Sequence, residues 1–231
     1  MSMFIIRLLV ALSLLASAGT QSLPDGYMQI GESVQASVLS QEQAKSLFDL
    51  FVSAKDIPFD YAIDGCYARA TAMAAIAEYN KIEMAKIWVE GNLRVRPKDK
   101  TQPDVEWGYH VAPVAFVKEN GKAVPMVFDP SLFDKPVTVD KWKQSMESVE
   151  TIDKLRPYSK VGVRGYKGDI RASYYSGRYQ FMPRGIEGKK YSWHQTDLIR
   201  SKSILDEYSS ISRNTKTVQE ARSNLNKRGA K

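Results

Sequence analysis

Cysteine and histidine are scarce in this chain of 231 residues, which contains one cysteine and two histidines. A single cysteine, Cys66, cannot form an internal disulfide. Beyond the first twenty residues, no run of about 18 apolar residues predicts a membrane-spanning helix. Neither a cluster of metal ligands nor a glycine-rich phosphate loop is present, so we predict no metal and no organic cofactor.

The first 18 residues have the pattern of a secretory signal peptide. Arg7 precedes the apolar run 8–15, and the small residues 16–19 follow it. The alternative is a membrane anchor. The pattern predicts an exported protein, periplasmic or secreted, in which an unpaired thiol is either a nucleophile or a small buried apolar group.

Charge is divided unevenly along the chain. Residues 19–150 contain 14 Lys and Arg against 19 Asp and Glu, whereas residues 151–231 contain 18 against 7. The basic second half predicts contact with an anionic envelope or an acidic protein surface. A solvated basic face without a partner is the alternative. No specific nucleic acid is predicted, and the oligomeric state is open.

Periodicity and turn signals predict an α+β domain. Helices are expected after the cap Ser40, over 66–79 with Asp64 as N-cap, over 140–148 and over 197–226. Strands are expected over 86–90, 109–117 and 123–129, with a polar loop over 94–106. Asn120-Gly121 between the last two strands is a strong hairpin signal.

Cys66 falls in the first turn of the predicted helix, where the helix dipole favours a thiolate. If Asn120-Gly121 is a two-residue turn, paired residues have numbers that sum to 241, which makes His110 the diagonal neighbour of Asp129. The pattern therefore favours a Cys66, His110 and Asp129 triad. The alternative is a core histidine and a turn aspartate. His194 has no comparable partner and is expected to be structural or exposed.

Four ordered motifs resemble those of the bacterial protein-glutaminases. The resemblance covers about residues 44–145 and implies that Cys66 is the nucleophile, His110 the base and Asp129 its orienting carboxylate. It also implies a transglutaminase- or papain-like fold, with the nucleophile helix packed on an antiparallel sheet. The basic helical C-terminal tail is predicted from its residue pattern and lies outside the resemblance. The motifs are Asp64-Gly65-Cys66-Tyr67-Ala68-Arg69-Ala70, Gly91-Asn92-Leu93, Trp107-Gly108-Tyr109-His110-Val111-Ala112 and Asp129-Pro130-Ser131-Leu132-Phe133.

The resemblance implies hydrolysis of protein-bound glutamine to glutamate, with ammonia release through a cysteine thioester. Trp107, Tyr109 and Tyr67 are expected to line the glutamine slot, or else to be core residues, and Arg69 is expected to be structural. Substrates would be proteins or peptides with exposed glutamine. A transglutaminase, a cysteine peptidase or amidase with the same triad, and a non-catalytic envelope-binding protein are the alternatives.

The expected organisation is a signal peptide over 1–18, a catalytic domain over 19–192 and a basic helical tail over 193–231. We expect the tail to bind anionic surfaces, and its removal after about residue 197 to leave turnover of small substrates intact.

Overall fold

The computed structural model describes residues 19–23, 34–96, 98, 104–146, 169–183 and 195–228. The predicted signal peptide and His194 lie outside these ranges. The strands are β1 (Thr20–Leu23), β2 (Val34–Leu39), β3 (Ala85–Val95), β4 (Val105–Glu119), β5 (Lys122–Val127), β6 (Val137–Thr138) and β7 (Asp169–Ser176). The helices are α1 (Gln41–Ser53), α2 (Cys66–Tyr79), α3 (Val139–Gln144) and α4 (Gln195–Arg228).

The sheet is built around β4, its longest strand. β4 runs antiparallel to β3 and to β5, and β3 also pairs with β7. β2 is parallel to β4 through two residue pairs. The prediction of an antiparallel sheet is therefore wrong for this one pair. The chain passes through α1, α2 and β3 between these strands, and parallel neighbours require such a long crossover.

The β4–β5 hairpin has the predicted two-residue turn. Asn120 and Gly121 have φ values of 50° and 79°, which a type I′ turn requires of both central residues. Glu119 pairs with Lys122 and Val114 with Val127, so the predicted register is confirmed. β5 ends two residues before Asp129, and the ends of the predicted loop over 94–106 belong to β3 and β4.

The predicted helices around Cys66 are confirmed. Ser40 forms a capping box with Gln43 at the start of α1, which satisfies backbone N–H groups that a helix leaves unpaired. α2 is buried on several sides, because its small alanine side chains allow close packing. One apolar cluster joins α1 and α2 to the sheet, and a second cluster includes α3 residues.

The beginning of α4 packs onto the body of the protein. Leu205 is buried in the same apolar cluster as α1 and α2, and Asp197 and Ser201 are also buried. The described part of the predicted basic tail therefore contacts the helix that begins at Cys66. Among the helices that the structure describes, none is long and apolar enough to cross a membrane.

Candidate active site

The turn that leads into α2 places Cys66 at the first position of the helix. Gly65 is the N-cap and lies in the left-handed region, with φ of 85°. The predicted N-cap, Asp64, is wrong: its Oδ1 instead accepts the Gly65 N–H at 2.6 Å, one residue before the helix. The first N–H groups of a helix have no intrahelical acceptor, so this end of α2 can donate to a developing anion.

Arg69 holds this turn from inside the protein. Its side chain is 2% exposed, and Nη1 donates to the backbone oxygens of Tyr61 and Asp64 at 2.7 and 2.8 Å. The predicted structural role of Arg69 agrees with these two bonds. Arg69 therefore fixes the chain that precedes Cys66.

Replacing Gly65 with alanine is expected to destabilise the protein. A left-handed alanine costs about 1–2 kcal/mol, and the new Cβ would lie 2.7 Å from the Tyr208 ring, so that ring would have to move. We expect thermal denaturation to show a midpoint lower by about 4 °C or more. Gly177→Ala is the matched control, because nothing lies within 4 Å of its Cβ position. Equal midpoints for the two variants would contradict this account of the turn.

His110 and Asp129 form a buried pair. His110 Nε2 lies 2.8 Å from Asp129 Oδ2, and the two side chains are 1% and 4% exposed. Trp142 Nε1 donates to the same oxygen at 2.9 Å, and the Ser131 N–H donates to Oδ1 at 3.2 Å. Asp129 therefore has fixed donors on both oxygens and can orient the imidazole.

Two tryptophans enclose the imidazole. The ring centroid of His110 lies 4.4 Å from that of Trp107 and 5.4 Å from that of Trp142, with stacked geometries. The indole N–H of Trp107 donates to the Ile63 backbone oxygen at 3.0 Å. Sequence reasoning missed Trp142, which it assigned only to a helix, because the contact depends on packing between α3 and the residues that follow β5.

The electrostatics of the pair favour a charged imidazole. Burial alone would lower the pKa of His110, but the Asp129 carboxylate and the adjacent Cys66 raise it to about 9. Burial acts to raise the pKa of Asp129. The charge and hydrogen bond of His110, the hydrogen bond from Trp142 and the charge of Arg69 outweigh this effect, so the pKa of Asp129 lies below its ordinary value. Asp129 is therefore an ionised carboxylate, and the protonated Nε2 of His110 donates a hydrogen bond to it.

Nδ1 of His110 is the ring nitrogen left for chemistry. It is buried and has no hydrogen-bond partner among the described residues. Cys66 is 7% exposed and contributes through its side chain to the raised pKa of His110. Since Nε2 is engaged by Asp129, Nδ1 is the atom that can exchange a proton with the thiol or a bound reactant.

Turnover should decline at alkaline pH with the titration of His110. The imidazolium form is complete well below the pKa of about 9 and is lost as the pH rises through that value. If a protonated His110 supplies the proton to the leaving group, kcat/KM falls on an alkaline limb centred near pH 9. A steady-state pH profile measures this limb, and a profile that is flat from pH 7 to beyond 10 would contradict the prediction.

A small pocket opens beside Cys66, with a volume of about 180 Å³. Trp107 and Tyr109, two of the three residues expected to line the glutamine slot, line this pocket, whereas its lining does not include Tyr67. The Tyr67 ring instead lies edge-on to Phe181 at 5.2 Å. A larger pocket of about 470 Å³ is lined by neither Cys66 nor His110. The smaller pocket, which Cys66 lines, is therefore the candidate substrate site. Within the described ranges, no group of three acidic, histidine or cysteine side chains could hold a metal ion.

Comparisons with known proteins find one family model and several solved structures that are similar to this chain. A family model described as glutaminase matches residues 36–146. The crystal structure of protein-glutaminase is 25% identical over 74% of this chain and 88% of its own, with a TM-score of 0.58. The NMR structure of protein-glutaminase from Chryseobacterium proteolyticum is 26% identical over 74% of this chain and 89% of its own, also with a TM-score of 0.58.

A crystal structure of pro-protein-glutaminase shares the fold. It is 24% identical, covers 82% of this chain and 63% of its own, and has a TM-score of 0.58. No curated protein matched the sequence.

Proposed function

Because the chain matches a glutaminase family model and is similar to solved protein-glutaminases, we propose that it belongs to their family, hydrolyses protein-bound glutamine to glutamate and releases ammonia through a Cys66 thioester. The observation that carries this mechanism is the buried His110–Asp129 pair. Nδ1 of His110 has no hydrogen-bond partner among the described residues, and Cys66 is one of the groups that raise the pKa of His110. A nucleophile, a base and a group that orients the base are the parts that acyl transfer requires.

The first half of the reaction forms the thioester. Cys66, as thiolate, attacks the carboxamide carbon, and a carbon–sulfur bond forms while the carbonyl oxygen becomes an oxyanion. The Cys66 N–H, which has no intrahelical acceptor at the first position of α2, would donate to that oxygen. The imidazolium of His110 gives its Nδ1 proton to the departing nitrogen, the carbon–nitrogen bond breaks, and ammonia leaves.

The second half consumes water. Neutral His110 takes a proton from water, and the resulting hydroxide attacks the thioester carbonyl. The carbon–sulfur bond breaks, the Cys66 thiolate is restored, and glutamate remains in the substrate protein. Asp129 keeps the same imidazole orientation in both halves and stabilises its charged form in the first.

The pocket geometry supports a side-chain carboxamide as the reacting group. A space of about 180 Å³ beside Cys66 is suited to the end of one side chain rather than to a folded surface. We propose that Trp107 and Tyr109 contact the glutamine stem. Tyr67 would support the slot from behind through its contact with Phe181.

The finer features of the predicted organisation complete the proposal. We propose that the nucleophile helix and sheet are arranged as in transglutaminases and papain-like enzymes, and that residues 1–18 direct export to the periplasm or beyond. The basic C-terminal half, with 18 Lys and Arg against 7 Asp and Glu, would favour acidic protein or envelope surfaces.

The reaction is tested with residues 19–231 and casein as a glutamine-rich substrate. Ammonia, the intact mass of casein and its gel mobility are measured together, with Cys66→Ala as the control. Ammonia that depends on Cys66, with amide-to-acid mass changes and unchanged mobility, is the expected result. Crosslinked multimers would identify a transglutaminase, fragments would identify a peptidase, and either would overturn hydrolytic deamidation.

A further inference from the structure

The C-terminal helix reaches the turn that carries Cys66. The Tyr208 hydroxyl of α4 donates to Asp64 Oδ2 at 2.7 Å, while Asp64 Oδ1 accepts the Gly65 N–H at 2.6 Å. One carboxylate therefore joins α4 to the backbone directly before the nucleophile. Asp64 also lines the pocket beside Cys66.

The Tyr208 ring adds two packing contacts to this hydrogen bond. It stacks on Tyr61 with ring centroids 4.6 Å apart and an interplanar angle of 26°. It also occupies the space next to Gly65, where an added Cβ would meet two ring carbons at 2.7 and 2.8 Å. Gly65, which has no Cβ, therefore leaves the space that the Tyr208 ring occupies.

Arg69 and Tyr208 both contact the short segment that precedes Cys66. Arg69 donates to the backbone oxygens of Tyr61 and Asp64, whereas Tyr208 contacts the side chains of these two residues. The turn over 61–65 is thus fixed at its backbone by α2 and at its side chains by α4. A change in the turn would move Cys66, because Gly65 is the residue directly before it.

We propose that Tyr208 is a positioning residue for Cys66, and that α4 is required for reactivity of the thiol rather than only for surface binding. Preorganised geometry decides how often a nucleophile and its base are aligned. This proposal replaces the expectation that a chain shortened after about residue 197 keeps its small-substrate turnover. Its effect on turnover rests on the proposed function, but its effect on thiol reactivity does not.

The test uses Tyr208→Phe in the full chain, which removes the hydroxyl and keeps the ring. Tyr179→Phe is the matched control, because the Tyr179 hydroxyl donates to Glu78 near the other end of the same helix, at 3.3 Å. The second-order rate of Cys66 alkylation by iodoacetamide is measured at pH 7, with kcat, KM for a short glutamine peptide and the thermal midpoint.

Tyr208→Phe is expected to lower the alkylation rate and kcat by about three- to tenfold, as the loss of one hydrogen bond implies. KM and the thermal midpoint should change no more than in Tyr179→Phe, which should keep the wild-type rates. Alkylation and kcat equal to those of Tyr179→Phe would overturn the proposal. Slower alkylation in a chain that releases no ammonia would uphold the positioning role and refute the proposed deamidation.

Discussion

Replacing Cys66 with serine is expected to lower kcat/KM for ammonia release by about 10⁴-fold or more, since removing the nucleophile of a triad costs on the order of 10⁶ in a well-studied case. A serine hydroxyl is far less ionised than a thiol at neutral pH, so it is a much weaker nucleophile at this position. Since Cys66 is the only cysteine, no other thiol can take over. The measurement is the initial rate of ammonia release from a glutamine peptide.

Cys66→Ala separates loss of chemistry from loss of fold. Both variants should keep the wild-type circular dichroism and a thermal midpoint within a few degrees, because the side chain is small and lies at the start of α2. Ammonia release within tenfold of wild type in folded Cys66→Ala would contradict the covalent mechanism.

Asp129→Asn is expected to lower kcat/KM by about 10²- to 10⁴-fold, the range that general acid–base catalysis and orientation of the base supply. Asparagine cannot replace the charge that raises the pKa of His110, so less imidazolium is present at neutral pH. Its amide has a single oxygen, so it cannot accept hydrogen bonds at both positions as Asp129 does from His110, Trp142 and Ser131. The alkaline limb of the kcat/KM profile should move to lower pH.

Asp134→Asn is the matched control for this variant. Asp134 lies five residues further along the chain, its side chain is 83% exposed, and it pairs with Lys98 rather than with His110. It should leave kcat/KM within about twofold of wild type, because exposed ion pairs contribute little. Equal losses of kcat/KM in the two variants would contradict the proposed action of Asp129 on His110.

The parts of the site that are local in sequence were predictable. The alanine-rich segment and its position after Asp64-Gly65 placed Cys66 at a helix start, and α2 begins there. The hairpin register was also predictable, because a two-residue turn sets the pairing of β4 with β5 as far as Val114 and Val127. Continued two residues past the end of β5, that register predicted that His110 and Asp129 lie close together, and their side chains are 2.8 Å apart.

The contacts that support the site were not predictable from these signals. Trp142 reaches Asp129 from α3, and Tyr208 reaches Asp64 across 144 positions in the chain. Neither the helical period nor turn chemistry specifies which helices meet. The predicted N-cap, Asp64, was wrong because the helix begins one residue later, after a left-handed Gly65 whose N–H bonds to the Asp64 side chain.

The central claim, that His110 activates Cys66, is tested most directly by the pH dependence of iodoacetamide alkylation in the wild type and in His110→Asn. Every label reports Cys66, because the chain has no second thiol. The account predicts fast alkylation of the wild type at pH 6, at least about tenfold above the variant, whose rate should rise with pH as for an ordinary cysteine. Superimposable profiles from pH 5 to 9 would contradict activation of Cys66 by His110.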